Sequence, residues 1–547
     1  MWRSVCRRFR PTPCIAMNEV AGRRGTAIVA ALFALAQLPF LNGAFRVDDT
    51  NILAIAKQIA RAPLEPYGYN LNGTGFERPA FDILANPPLV PYLLAAWARL
   101  FGWSEIALHS LTVLCGIAAI FAFSSLARSL GRTDALFPAL LAVSPAFFIA
   151  SHVVMPDIEM LALTLGATAA AMRYRESGSR GAALVAFACG FFVALAKYNG
   201  VMVVPVLAAI AYMTPGKRRA LGVIASSPLI GLAVWNLFTL AQYGAMHLAV
   251  VSNERRFNLE QTLADLAKRG MHFGVVDTVI SMIVITGLAI VPIGWQFVAA
   301  RGKEWVIALS AGLVALAIAL LRLDYSPAST ILFAVGIAFG VRAFAAVLAE
   351  RALVPAVWLA SVIAFQIITI FIGVRYVFPL LPAILLLTPA ARSIARPLAQ
   401  IGLVLSACIA VAIAIGDAEA ANCYRDVAAK LAGRHFRFAG HWGLQWYATE
   451  AGGTMIDVKQ PPLLRSGDVV LSAPRAFPSL GDLRLAPGAQ IAAINVTCDA
   501  RWPVQTVSCG AAASWYANEV AGCRRYPLYL PFGISREAEQ LQLYVVK

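Results

Sequence analysis

The residues of this chain that could do chemistry are few and spread out. They are the tandem acid Asp48-Asp49, Asp157 in Met155-Pro156-Asp157, Lys197 in Ala196-Lys197-Tyr198, and Arg375 followed by Tyr376. A structural use exists for each acid. Asp48 or Asp49 could cap a helix starting near Thr50, although one Asp suffices for that. Asp157 could open another helix, with Glu159 in its first turn favouring the dipole. Lys197 and Arg375 stand at the ends of apolar runs, so a negative group is expected nearby. A lipid phosphate is one candidate, which Arg holds by bidentate hydrogen bonds. Snorkelling to ordinary headgroups is the other reading.

The elements that must position these residues are set by composition. Of 547 residues, 59% are hydrophobic and 14% charged, where a soluble chain carries about 25% charged residues. Lipid is therefore the solvent of most of the chain. Lys and Arg number 45 against 29 Asp and Glu. In a membrane protein this excess reflects basic cytoplasmic loops, which excludes nucleic acid as the expected partner.

A spanning helix needs about 20 apolar residues. Apolar runs at 25–44, 104–128, 134–152, 158–174, 182–197, 200–213, 220–243, 276–300, 305–321, 328–347, 353–372, 376–391 and 398–416 predict about thirteen spans. With the basic N-terminus (1–24) inside, alternate loops hold Arg128 and Arg132; Arg173, Arg175 and Arg180; Lys217, Arg218 and Arg219; Arg301 and Lys303; Arg351; and Arg392 and Arg396. This satisfies the positive-inside rule and places the remainder from 417 outside. The tandem acid, Asp157, Lys197 and Arg375 all fall on the outer side. A cleaved signal peptide over 1–44 is the alternative, and it leaves the following loop on the same side.

Three outer regions result: 45–103, 244–275 and 417–547. In the first, 50–61 and 88–101 read as helices on or in the interface, the second beginning at Asn86-Pro87-Pro88. In the second, Leu259, Leu263 and Leu266 could form one apolar helix face. The third mixes turn signals with short apolar runs such as 469–472 and 491–496, as expected of a small mixed α/β domain. His441-Trp442 through Trp446-Tyr447 is an aromatic stretch that could pack a core or stack on sugar rings. None of the 29 carboxylates falls near the centre of a predicted span, which counts against an ion-coupled transporter or flippase. A non-catalytic envelope scaffold, its acids merely capping helices, is a further alternative.

The motifs occur in a telling order: a tandem acid after span one, Pro87-Pro88-Leu89, Gly102-Trp103-Ser104-Glu105, Ser144-Pro145 leading to Asp157, Ala196-Lys197-Tyr198, and Arg375-Tyr376 with Pro379 and Pro382. The series resembles the GT-C-type glycosyltransferases of the dolichyl-phosphate-mannose protein mannosyltransferase superfamily. The bacterial branch that includes the lipid A aminoarabinose transferases is the nearer likeness. The likeness covers roughly residues 25–390.

The resemblance implies an all-α polytopic membrane bundle of GT-C type, with the outer α/β domain appended. It implies an inverting transfer from a sugar on a polyprenyl phosphate to a lipid, glycan or protein acceptor, at the outer face of the cytoplasmic membrane. Carried over, Asp48 or Asp49 would be the general base, Asp48 matching the family's first acid. A positioned carboxylate is what makes an alcohol nucleophilic. Lys197 and Arg375, with Arg255 and Arg256 as weaker extras, would bind the donor phosphate and meet its growing charge. Asp157 would orient the acceptor or assist the base, and Asn86, Tyr376 and Glu77 would position substrate. Two positions depart from the pattern: Asn86 stands where a His or Lys is frequent, and Asn51 where the aminoarabinose transferases carry Arg. Both remove a cation, which argues against aminoarabinose and lipid A. A site where acids meet a phosphate could hold a divalent cation, although the superfamily also has members that work without metal.

Cys423, Cys498, Cys509 and Cys523 lie in the outer region, and four cysteines allow three pairings. Sequence alone does not choose among them; a Cys498–Cys509 bridge across Pro503 is one pairing that an extracytoplasmic location allows.

Overall fold

A computed structural model describes residues 13–73, 75–254, 303–322, 352–368, 374–387, 396–476, 483–498, 501–508, 513–516, 532–534 and 539–547, with scattered positions between 331 and 341. The chain is mostly helical. Helices α1 (Pro13–Gln37), α5 (Glu105–Ser129), α8 (Asp157–Ser177), α9 (Arg180–Ala196), α10 (Val203–Tyr212) and α11 (Arg218–Tyr243) pack side by side as neighbours. Close approach of α9 and α11 depends on small residues. A Cβ on Gly231 would lie 2.2 Å from the Phe191 carbonyl oxygen.

Among the described residues, three helices are long and apolar enough by themselves to cross a hydrocarbon layer: Glu105–Ser129, Pro215–Tyr243 and Gln400–Leu431. The expected count of thirteen goes beyond these. The runs 276–300 and most of 328–347 lie outside the described residues. One expected span is corrected. The run 134–152 forms α6 (Leu136–Val143) and α7 (Pro145–Ala150), broken at Ser144, whose backbone is extended at φ −62°, ψ 124°. Pro145 disfavours the helical conformation in the residue before it. The last run is longer than expected: the helix Arg396–Leu431 continues past 416 without a break.

The two segments read as helices, 50–61 and 88–101, are helical, as α2 (Asp49–Arg61) and α4 (Leu89–Phe101). Between them lie a short hairpin of β1 (Asn70–Asn72) and β2 (Glu77–Pro79), and α3 (Ala80–Ile83). The hairpin region docks on later chain: Asn72 Nδ2 donates to the Ile456 carbonyl at 3.1 Å, and the Val458 amide to the Gly75 carbonyl at 2.7 Å.

After Leu431 the described residues form a five-stranded sheet, in the order Thr454–Met455, Arg437–Ala439, Val469–Ser472, Glu539–Val546, Ile491–Cys498. The first three strands are parallel, and Glu539–Val546 runs antiparallel to both its neighbours. Leu543 pairs with Leu471 on one side and Ile494 on the other. The helix Trp442–Glu450 covers the chain between the first two strands. Cys498 bonds to Cys423 in the last third of the long helix, which decides against the Cys498–Cys509 alternative. The bridge ties the sheet's edge strand to that helix, a contact across 75 residues that local spacing does not reveal.

Candidate functional site

Just before α2 the chain turns at Val47, whose φ is +46°, a costly conformation for a β-branched residue. The turn leaves Asp48 at the cap position of α2 and Asp49 as its first residue. The two carboxylates then diverge. Asp48 makes no capping hydrogen bond; its Oδ2 accepts instead from Arg375 Nη2 at 3.0 Å. Its side chain is 37% exposed, against 12% for Arg375. Asp49 is fully buried, and its Oδ2 accepts the Arg46 amide at 2.9 Å. Burial pushes its carboxyl up to about 7, against the Arg46 amide and charge, while the neighbouring Asp48 adds to the rise.

A second ion pair faces the first. Pro156 precedes α8 and leaves Asp157 as its first residue, again without a capping role for the preceding side chain. Lys197 lies where α9 ends and the backbone becomes extended. Its Nζ donates to Asp157 Oδ1 at 2.6 Å, with both side chains buried. The Tyr376 ring lies between the two cations, its centroid 4.5 Å from Lys197 Nζ and 5.3 Å from the Arg375 guanidinium carbon. Arg375 also approaches Met155 Sδ at 2.9 Å.

The third wall is the loop Ile83–Asn86. Tyr67 Oη donates to the Asn86 carbonyl. His247, at the start of α12 (His247–Glu254), contacts the Leu84 carbonyl through Nε2 at 2.9 Å and Tyr198 Oη through Nδ1 at 2.8 Å. Burial lowers this imidazole to about 4, against the Leu84 hydrogen bond. A neutral ring with its proton on Nε2 satisfies both contacts. Trp235 Nε1 in turn donates to Tyr198 Oη at 3.2 Å. The residue after Lys197 is thus locked to the opposite wall.

Asp48, Asn86, Asp157, Lys197, Arg375 and Tyr376 line a single cleft. Asn51, read above as standing where the aminoarabinose transferases carry Arg, lines the same space. Asp49 lies behind the cleft, and Glu77 does not line it, since β2 is largely exposed and pairs only with β1. Arg255 and Arg256 lie outside the described residues. Among the described residues no group of three or more His, Cys, Asp or Glu could hold a metal ion, and both acids of the cleft are engaged by cations.

Sequence reasoning passed over the scaffold beneath the acids. Arg46 pairs with Asp417 at 2.5 Å, and Asp417 accepts the Thr506 amide at 2.8 Å and its hydroxyl at 2.9 Å. Arg46 stands two residues from Asp48, in a loop that the positive-inside reading puts outside, so the argument used for Lys197 applies to it as well. The aromatic stretch 441–447 serves packing. Tyr447 Oη accepts the Phe45 amide at 2.8 Å and donates to Glu105 at 2.9 Å. A Cβ on Gly443 would meet the Phe45 carbonyl oxygen at 2.2 Å. Trp446 packs edge-on to Phe45 and under Lys57.

Residues 85–241 match the model of the dolichyl-phosphate-mannose-protein mannosyltransferase family. No curated relative matches the chain. Similar solved structures include ArnT from Cupriavidus metallidurans in the apo state, at 15% identity over 83% of this chain and 94% of that one, with a TM-score of 0.39. ArnT from the same organism bound to undecaprenyl phosphate gives 14% identity over 82% and 93%, with a TM-score of 0.37. The Archaeoglobus fulgidus oligosaccharyltransferase gives 13% identity over 79% of this chain and 64% of that one, also at 0.37. Residues 85–241, with Asn86, Asp157 and Lys197 among them, carry the sequence pattern of the dolichyl-phosphate-mannose-protein mannosyltransferase family, and the resemblance read from the order of the motifs is borne out there.

Proposed function

We propose that this protein is a glycosyltransferase that moves a sugar from a polyprenyl-phosphate carrier to a lipid, glycan or protein acceptor at the outer face of the cytoplasmic membrane. The observation that supports it best is the meeting of Asp48–Arg375 and Asp157–Lys197 in one cleft. A carboxylate that can take a proton stands beside cations that can hold a phosphate, which is the minimum this transfer needs.

Asp48 serves as the base because it is the partly exposed member of the tandem pair, whereas Asp49 is enclosed. In the reaction Asp48 takes the acceptor hydroxyl proton as the acceptor oxygen bonds to the anomeric carbon. The bond from that carbon to the phosphate oxygen breaks, and the phosphate leaves with the electron pair. Arg375 and Lys197 meet the charge that develops. Arg375 has capacity for this, since its buried Nε has no hydrogen-bond partner among the described residues. A donor phosphate drawing Arg375 towards itself would loosen its hold on Asp48 and raise that carboxylate's basicity. Donor binding and base activation are coupled in this reading.

The test compares envelope glycolipids and glycoproteins, by mass spectrometry, from a deletion strain and a strain carrying only Asp48→Asn. Loss of the same sugar from the same acceptor in both supports the transferase. An unchanged glycan profile in the deletion strain excludes it.

A further inference from the structure

Between the strands Ile491–Cys498 and Glu539–Val546 the chain sends a short segment back to the cleft. Thr506 is fixed to Asp417, in the middle of the long helix. The Trp515 amide donates to the Thr506 carbonyl at 2.9 Å, and the Trp515 carbonyl accepts the Arg375 amide at 3.1 Å. The next residue, Tyr516, is buried, at 5% exposed. Its ring contacts two arginines: the guanidinium carbons of Arg46 and Arg375 lie 5.7 Å and 6.0 Å from the centroid. Each arginine serves one member of the tandem acid. Arg375 holds Asp48 through its side chain, and Arg46 holds Asp49 through its amide.

From this geometry we infer that Tyr516 is a positioning residue for donor-phosphate binding, its ring acting as the shared platform that fixes Arg375 and Arg46 behind Asp48 and Asp49. The inference rests on the reading of the cleft as the donor site. Three features support the ring face rather than the hydroxyl as the working part. The Tyr516 hydroxyl is buried without a hydrogen-bond partner among the described residues. The ring's negative face attracts guanidinium, and more strongly away from water. Asp48 and Asp417 pull the two arginines towards separate partners, so a fixed surface between them defines where Arg375 can reach.

The experiment measures binding of undecaprenyl phosphate, and of undecaprenol as the phosphate-free control, to the purified full-length protein in nanodiscs. Tyr516→Leu, which stays apolar but has no ring face, is expected to weaken undecaprenyl phosphate about tenfold and to leave undecaprenol unchanged. Tyr516→Phe is expected to recover the tight binding. Combining Tyr516→Leu with Arg375→Gln should cost no more than Arg375→Gln alone, since both changes remove one interaction. If Tyr516→Leu does not assemble, Tyr516→Met replaces it in the same comparison. Tight binding by the ring-less variant overturns the inference, as does equal loss in the Leu and Phe variants, which would assign the effect to the hydroxyl. Wild-type protein that does not prefer undecaprenyl phosphate over undecaprenol overturns the donor-site reading itself, and the inference with it.

Discussion

Asp48 and Arg375 are 327 residues apart in sequence and 3.0 Å apart across the cleft. The pair joins the turn after the first helix to a short helical segment, Val374–Leu380, that precedes the Pro382 helix. Removing the charge from Asp48 tests the base directly. Asp48→Asn keeps the side chain's shape but cannot accept a proton, so transfer should fall by about 10²–10⁴-fold. The thermal midpoint of the purified protein should fall less than it does when the fully buried pair is broken, because Asp48 is partly exposed although Arg375 is mostly enclosed. Wild-type turnover by Asp48→Asn would remove Asp48 from the chemistry.

The Asp157–Lys197 pair obeys a different rule, because both side chains are buried. Removing one partner strands the other charge, which costs about 3–5 kcal/mol. Lys197→Met and Asp157→Asn should therefore each lower the melting midpoint sharply. The double variant Asp157→Asn with Lys197→Met should recover most of the lost stability, since no charge is left unpaired. It should not recover undecaprenyl phosphate binding if Lys197 meets the phosphate. Scanning fluorimetry and lipid binding on the same four proteins separate the two roles. Equal and additive losses would show that the pair is not coupled.

Much of this site was legible from residue type and sidedness. Asp48, Asp157, Lys197 and Arg375 are charges beside apolar runs that the positive-inside reading puts on the outer face, where each calls for a partner. What sidedness cannot supply is pairing. Nothing in the local sequence of Asp417 names Arg46, and nothing in Tyr516 signals that its ring meets two arginines, because both contacts depend on how distant segments fold back. Helix boundaries failed for a related reason. Hydropathy reads 134–152 as one run, whereas the break at Ser144 is a backbone effect of Pro145. The long helix passed 416 because hydropathy marks where the apolar surface ends, and a helix does not end there unless a stop signal intervenes.

Asp49 gives a pH prediction with a definite sign. Its folded value of about 7 lies above the ordinary 3.8. Between these values the unfolded chain releases the proton that the folded protein keeps, so this group's contribution falls as pH rises through the window. Below pH 4 both states are protonated and the penalty is absent; by about pH 8, a unit above the folded value, it is fully present. Asp49→Asn keeps an acceptor for the Arg46 amide and cannot ionise. Its melting midpoint should gain on the wild type steadily from pH 5 to pH 8, then level off. A difference that stays flat across this range would show that Asp49 is not buried as described.

Gly443 offers a test of how the outer region sets the position of the base without touching the cleft. The helix Trp442–Glu450 begins against the Phe45 carbonyl, and a Cβ on Gly443 would lie 2.2 Å from that oxygen. Backbone cannot yield as a flexible side chain does, so Gly443→Ala must push the helix and the 45–48 segment apart. Overpacking of this kind costs about 1–3 kcal/mol. The displaced segment carries Val47, already at φ +46°, and ends at Asp48. A small misplacement of a reacting group can cost about 10²-fold in rate. Gly443→Ala should therefore lose far more turnover than stability, with undecaprenyl phosphate binding reduced less than turnover, because Lys197 and Tyr376 are untouched. Gly453 is the control: its added Cβ would meet the Phe436 ring at 2.6 Å and the Ala448 carbonyl oxygen at 2.9 Å, both on the outer region's own side. Gly453→Ala should lower the melting midpoint by a comparable amount while sparing turnover. If both variants lose turnover in proportion to stability, contact between Gly443 and Phe45 has no special role in holding Asp48.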